Sequence, residues 1–186
     1  MTKKELRGII KEKRSLLTKE YMNYCDKAIQ ELVIKSRSFI SAESIFVYVS
    51  SDKEPSTRLI IESALAQGKR VFVPKCISRG LMVAVEITEN TVFEEGFMGI
   101  REPSVYDESF VLQRVDLSVI PCVSLTLSGK RLGHGAGFYD IFLENTITEK
   151  MCLCYHRLLC DDIPTDENDI AMDMSVTERG IFSCRQ

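Results

Sequence analysis

Within about thirty residues this chain carries a strand, a helix and a second strand, a βαβ unit, and that constrains its fold more than any other feature. The run Ser44-Ile-Phe-Val-Tyr-Val49 is short, β-branched and aromatic, the pattern of a strand buried on both faces. A polar loop, Ser50–Ser56, follows. Ser56 is placed to cap a helix carrying Leu59, Ile60, Ala64 and Leu65, which Gly68 closes. Arg70–Val73 is the second strand, with Pro74 as its stop.

The rest of the chain agrees with an α/β arrangement. Thr2-Lys-Lys-Glu5 is a capping box that starts a helix near Lys3, with Leu6, Ile9 and Ile10 at helical spacing. Thr18 restarts it, and Met22, Cys25, Ile29, Leu32 and Val33 form a second apolar stripe. Met82–Ile87 and Asp116–Ile120 read as further strands, the latter ended by Pro121. Met151–Tyr155 reads as another, and Met174–Thr177 as an edge strand. A helix runs through Ile141–Leu143. The segment from Asn90 to Glu108 reads as an irregular connection, and Asp161–Asp173 as an acidic, turn-rich tail. No repeat or linker interrupts the 186 residues, so one domain over 1–186 is expected.

A net charge of −3 offers no electrostatic footprint for nucleic acid, and no apolar run approaches the roughly 20 residues of a membrane span. The expected partners are therefore a small molecule, not nucleic acid or membrane, with a monomer or weak homodimer as the assembly. Seven cysteines, an odd number with no Cys-x-x-Cys, suit free thiols in a reducing compartment, hence the cytoplasm. With two histidines, a zinc site is not expected; a hard cation on carboxylates is.

The chemistry gathers at Gly133-His-Gly-Ala-Gly137. Glycines at alternate positions let the backbone turn tightly and bring N–H groups up to an anion. A helix beginning directly after them adds its own amides and dipole, about 0.3–1 kcal/mol in an exposed setting. Lys130 and Arg131 just upstream offer charge-assisted bonds of roughly 1.5–3 kcal/mol each. The loop is not a Walker loop, since no Gly-Lys-Ser/Thr follows, and its spacing is not the Gly-x-Gly-x-x-Gly of a nicotinamide site. A plain strand-to-helix turn is the other reading. Asp140, in the first turn of the helix, suits magnesium ligation and dipole compensation equally. Lys3, Lys4 and Arg7 put positive charge on the first helix, and Glu54 lies beyond a strand end, where α/β sheets place ligands.

Taken together and in order, these residues resemble the 5-formyltetrahydrofolate cyclo-ligase family. The resemblance runs through Lys3-Lys-Glu-Leu-Arg7, Val49-Ser-Ser-Asp-Lys-Glu54 with Thr57, Val73-Pro-Lys75 and Gly99-Ile-Arg-Glu-Pro103. It is strongest in Arg131-Leu-Gly-His-Gly-Ala-Gly-Phe-Tyr-Asp140 and Pro164-Thr-Asp-Glu-Asn-Asp169. It implies a three-layer α/β sandwich with a mostly parallel central sheet, similar to the sugar-isomerase and CoA-transferase relatives, and ATP and Mg2+ as cofactors. It implies that Lys3, Lys4, Arg7 and Arg131, Gly133, His134, Gly135, Ala136, Gly137, Phe138 and Tyr139 hold the nucleotide. Val49, Glu54, Met98, Gly135 and Phe138 would meet the folate, and Asp140 and Asp169 the metal. Arg131, Tyr139 and Asp140 are the residues on which catalysis would rest. The implied reaction passes the γ-phosphoryl group to the formyl oxygen on nitrogen 5, closes the ring through nitrogen 10 and releases phosphate.

Pro121-Cys-Val-Ser-Leu-Thr126 replaces the usual Pro-Gly-x-x-Phe-Asp of the family. Phe138 stands where Tyr is usual, Leu158 where Gln is common and Ala136 where Gly or Lys is found. These differences leave two functions in view: an active cyclo-ligase, or a paralogue that binds folate and nucleotide with weakened turnover.

Overall fold

A computed structural model describes residues 1–78, 80–96, 99–107 and 110–184. The N-terminal helix α1 (Lys3–Ser15) begins on the expected capping box: the Thr2 hydroxyl accepts from the Glu5 amide while the Glu5 carboxylate accepts from the Thr2 amide. Leu6 and Ile10 are its buried positions. Helix α2 (Lys19–Lys35) is capped by Thr18, as expected, and buries Cys25, Ile29, Gln30 and Val33. A short helix, α3 (Arg37–Ser41), follows under the cap of Ser36.

The βαβ unit forms as strand β1 (Ser44–Val47), helix α4 (Arg58–Ala66) and strand β2 (Arg70–Ser78), with β1 and β2 parallel. Two details differ from the sequence reading. The residue preceding α4 is Thr57, not Ser56, and its side chain does not cap; the first amides are met instead by Ser56 Oγ, 3.4 Å from the Arg58 amide, and by Gln30 Oε1, 2.8 Å from the Leu59 amide. Thr57 Oγ1 instead donates to the Tyr48 carbonyl at 2.6 Å, a tie across the loop. Strand β2 also runs through Pro74 without stopping. Its pairing with β1 ends at Phe72, so on that flank Pro74 owes no donor, and the other flank pairs with strand β3 (Leu81–Ile87).

Strands β4 (Phe93–Glu95) and β5 (Arg101–Pro103) pair as a hairpin where an irregular connection was expected. Three-residue strands carry too little alternation to register as a period. Strand β6 (Arg114–Ile120) ends at Pro121 as expected. After it, the two-residue strands β7 (Ser124–Leu125) and β8 (Arg131–Leu132) pair antiparallel and deliver the glycine loop into helix α5 (Phe138–Glu144). Strand β9 (Ile147–Leu153) starts four residues ahead of Met151. Strand β10 (Met174–Thr177) is not the edge, because β11 (Gly180–Ser183) turns back and pairs outside it.

The main sheet has the order β11-β10-β9-β6-β1-β2-β3. The five inner strands are parallel, and the antiparallel β11 and β3 close its two edges. Ile45, Phe46 and Val47 are consecutive and fully buried, so helices and loops cover both faces of the sheet, which makes three layers. Phe46 shows how a face is sealed. The Phe142 ring of α5 stacks on it at 4.2 Å between centroids, an arrangement contributing about 0.5–1.5 kcal/mol beyond its area. Parallel order sends the C-terminal ends of β1, β6 and β9 to one rim, and the loops after β1 and β6 carry Glu54 and the glycine turn there.

Candidate functional site

The glycine loop leaves β8 at Leu132 and enters α5 at Phe138. Gly135 (φ 101°) and Gly137 (φ 73°) occupy the left-handed region, where a side chain costs strain, so the turn depends on them. Residues 134–137 are exposed, which leaves their amides open to solvent. Helix α1 comes up beneath. Arg7 Nε donates to the Gly133 carbonyl at 2.7 Å, and a Cβ added to Gly135 would lie 3.3 Å from the Arg7 guanidinium carbon. A cation is thus held against an exposed glycine loop.

Arg131 and Asp140 form the spine of this turn. Arg131 is buried, its Nη2 lies 2.7 Å from both Asp140 carboxylate oxygens, and its Nη1 donates to the Pro121 carbonyl at 3.3 Å. Burial alone would lower the Arg131 pKa, but Asp140 outweighs it and the pKa is raised. Arg131 Nε is buried without a partner. Tyr139 packs beside this pair, its ring 5.9 Å from the guanidinium and 6.4 Å from Phe46. Burial pushes its phenol well above the ordinary value, so it keeps its proton and does not act as a base. Lys130 forms an exposed pair with Asp162 at 2.6 Å.

The two carboxylates expected to serve a metal lie on adjoining segments. The Ile170 amide donates to Asp140 Oδ1 at 3.3 Å, so the chain next to Asp169 rests against Asp140. Asp169 and Asp166 both accept from the Lys3 ammonium. Partial burial pulls the Lys3 pKa down, yet the two carboxylates prevail and raise it. Among the described residues no three His, Cys, Asp or Glu side chains converge as a metal cage. Two hard oxygen donors beside a phosphate loop are the set that magnesium takes when phosphates and water complete its shell. Lys4 is exposed on the outer side of α1.

Glu54 lies on the opposite wall, nearly buried. Its Oε2 accepts from the Ser51 hydroxyl at 2.7 Å and the Ser51 amide at 3.1 Å, and its Oε1 faces His134 Nε2 at 3.9 Å. The loop around it is pinned from below. The Tyr48 hydroxyl donates to the Pro55 carbonyl at 2.6 Å, and Asp26 Oδ1 accepts from the Tyr155 hydroxyl and the Ser56 amide. Val49 is half-buried at the start of this loop. The fold therefore brings the glycine loop and the Glu54 loop together at His134 and Glu54. Met98 lies outside the described residues.

Several residues here escaped the sequence reading. Tyr155 and Asp26 position the Glu54 loop from distant segments, and no local pattern announces them; Ser51 positions it from within the loop itself. Arg14 was findable. It donates to the Val123 carbonyl at 3.0 Å, and it continues the spacing 3, 7, 10, 14 that puts Lys3, Arg7 and Ile10 on one face of α1. The departures from the family pattern also have places. Thr126 is buried and accepts from the Lys130 amide at 3.0 Å, closing the turn between β7 and β8. Leu158 is a core residue. Cys122 is buried between the carbonyls of Pro121 and Val123 that anchor Arg131 and Arg14. Phe138 is half-buried at the start of α5.

Comparison with known proteins gives the family and agrees with the fold. The sequence model of the 5-formyltetrahydrofolate cyclo-ligase family matches residues 1–178. A probable 5-formyltetrahydrofolate cyclo-ligase of Caenorhabditis elegans is 32% identical, covering 95% of this chain and 92% of the relative. The mouse 5-formyltetrahydrofolate cyclo-ligase is 26% identical over 92% of this chain and 91% of its own. Among solved structures, a 5,10-methenyltetrahydrofolate synthetase of Aquifex aeolicus superposes with a TM-score of 0.86 at 24% identity, covering 100% of this chain and 94% of the other. One from Mycoplasma pneumoniae gives 0.74 at 22%, covering 96% and 99%. At those identities the structures establish the fold.

Proposed function

The chain belongs to the 5-formyltetrahydrofolate cyclo-ligase family, and from that premise we propose how its own residues carry the family's reaction. The protein is an ATP-dependent ligase that cyclises 5-formyltetrahydrofolate to 5,10-methenyltetrahydrofolate. The observation that carries the residue assignment is the meeting of three walls: Arg7 from α1, the exposed amides of 133–137, and Glu54 across from them.

On this reading the amides of Gly133, His134, Gly135, Ala136 and Gly137 hold the nucleotide phosphates, with Arg7 and Lys3 supplying charge from α1. Arg131 does not reach out as a surface arginine would. It fixes Asp140 and the curvature of the loop, and adds positive potential from behind. Tyr139 keeps its phenol proton, which suits it to donate to a ligand oxygen. Phosphoryl transfer asks chiefly for alignment and charge neutralisation, which a rigid loop and buried cations provide. Asp140 and Asp169 are the residues that would hold magnesium. A bound magnesium would neutralise charge on the β- and γ-phosphates.

Glu54, Val49, Gly135 and Phe138 receive the folate. The Oε1 atom of Glu54 faces the site, suited to accept N–H groups from a pterin edge. Seven free cysteines suit a reducing compartment, and the cytoplasm is our assignment. Mixing the protein with magnesium-ATP and 5-formyltetrahydrofolate should generate the methenyl chromophore. Tight folate binding by calorimetry with no chromophore above the no-ATP control would replace this reading with that of a binding paralogue.

A further inference from the structure

Ring closure leaves one proton to be moved. Nitrogen 10 bonds to the formyl carbon through its lone pair, and its N–H bond must break. The C–O bond breaks with its electrons going to oxygen, and the phosphate that departs gains a proton to become hydrogen phosphate. One proton is lost at nitrogen 10 and one gained on phosphate, so a single group able to take and return it serves both events.

His134 joins the two walls to which the phosphates and the pterin are assigned above. Its backbone belongs to the loop that faces the phosphates, and its side chain is 51% exposed, not packed into the core. Its Nε2 lies 3.9 Å from Glu54 Oε1, on the wall assigned to the pterin, and Ser51 holds the other Glu54 oxygen so that Oε1 stays turned toward the ring. We propose that the His134 imidazole accepts the proton of nitrogen 10 and passes it to the departing phosphate. This rests on the functional reading above.

The surroundings suit a neutral base. Charged and titratable groups of four segments act on the imidazole: Glu54 of the loop after β1, 3.9 Å away, Cys122 of the turn after β6, Arg14 of α1 and Arg131 of β8. Partial burial pushes the His134 pKa down, the two arginines add to this, and Glu54 and Cys122 oppose without reversing it. The ring is therefore uncharged at neutral pH and able to accept. Its neighbours are less suited: Tyr139 keeps its proton, and Asp140 is paired with Arg131. His156 is held elsewhere, its amide bonded to Glu178.

The test compares wild type, His134→Gln and His134→Ala by chromophore formation across pH. In the wild type kcat falls on the acid side, with a midpoint below the ordinary histidine value of about 6.5. His134→Gln should lower kcat about 10²-fold, leave the KM for ATP nearly unchanged and lose the acid limb. In His134→Ala, added imidazole should restore rate in proportion to its free-base concentration. A Gln variant with wild-type kcat and an intact limb overturns the relay. So does a slow variant that keeps the limb and ignores imidazole. Wild-type protein that makes no chromophore at any pH overturns the functional reading instead, and the relay falls with it.

Discussion

At the scale of single residues, the site is organised by a buried ion pair as much as by its exposed glycines. Arg131 and Asp140 hold each other at 2.7 Å with the arginine almost fully buried. Removing one partner of such a pair leaves a charge without compensation, at a cost of about 3–5 kcal/mol. Arg131→Ala should therefore lower urea-unfolding stability by that order, as well as weaken nucleotide binding. A variant that loses ATP affinity at unchanged stability would make Arg131 a ligand contact alone. Gly135 gives the complementary case. At φ 101°, Gly135→Ala strains the backbone and crowds Arg7 at 3.3 Å. Strain of about 1–3 kcal/mol should appear as a lower melting temperature and a raised KM for ATP, with the KM for folate little altered.

At the scale of elements, α1 is one wall of the site, and its first turn is fixed by its cap. Thr2→Ala breaks the capping box, costs about 1 kcal/mol and frays the turn bearing Lys3. The expected result is a higher KM for ATP with kcat preserved, read by steady-state kinetics. The hairpin of β4 and β5 offers a second test. A Cβ on Gly96 would sit 2.2 Å from Glu102 Oε2, while Glu102 Oε1 accepts from the Cys76 amide at 3.1 Å. Gly96→Ala must displace that buried carboxylate, so it should destabilise the protein by an amount that Glu102→Gln does not reproduce. These elements also show what was legible beforehand. The capping box, the helical stripes of α1 and α2 and the buried runs of β1 and β6 declare themselves locally, since period and cap are properties of neighbouring residues. The hairpin, the short β7 and β8, and the passage of β2 through Pro74 depend on which strand lies alongside. For the same reason the glycine loop and Glu54 stood out, whereas Asp26 and Tyr155, which support the Glu54 loop from two distant segments, did not.

At the scale of the molecule, the candidate site gathers the two ends of the chain. Lys3 of the first helix is held by Asp166 and Asp169, Arg7 grips the loop at Gly133, and Glu54 faces that loop from the first strand's end. A nucleotide seated there contacts segments that are far apart in sequence and meet only in the folded state. Ligands that bind only the native form stabilise it by mass action, by about 2.7 kcal/mol at a hundredfold excess over Kd. For a protein of this size that corresponds to a rise of roughly 5–11 °C in melting temperature. Magnesium-ATP should produce such a shift by calorimetric or fluorescence melting, and chelating the metal should shrink it. Asp169→Asn removes charge from both the proposed metal site and the Lys3 clamp, so it should lower the shift with magnesium-ATP more than the shift with folate alone. Equal losses for the two ligands would mean that Asp169 supports the fold without serving the metal.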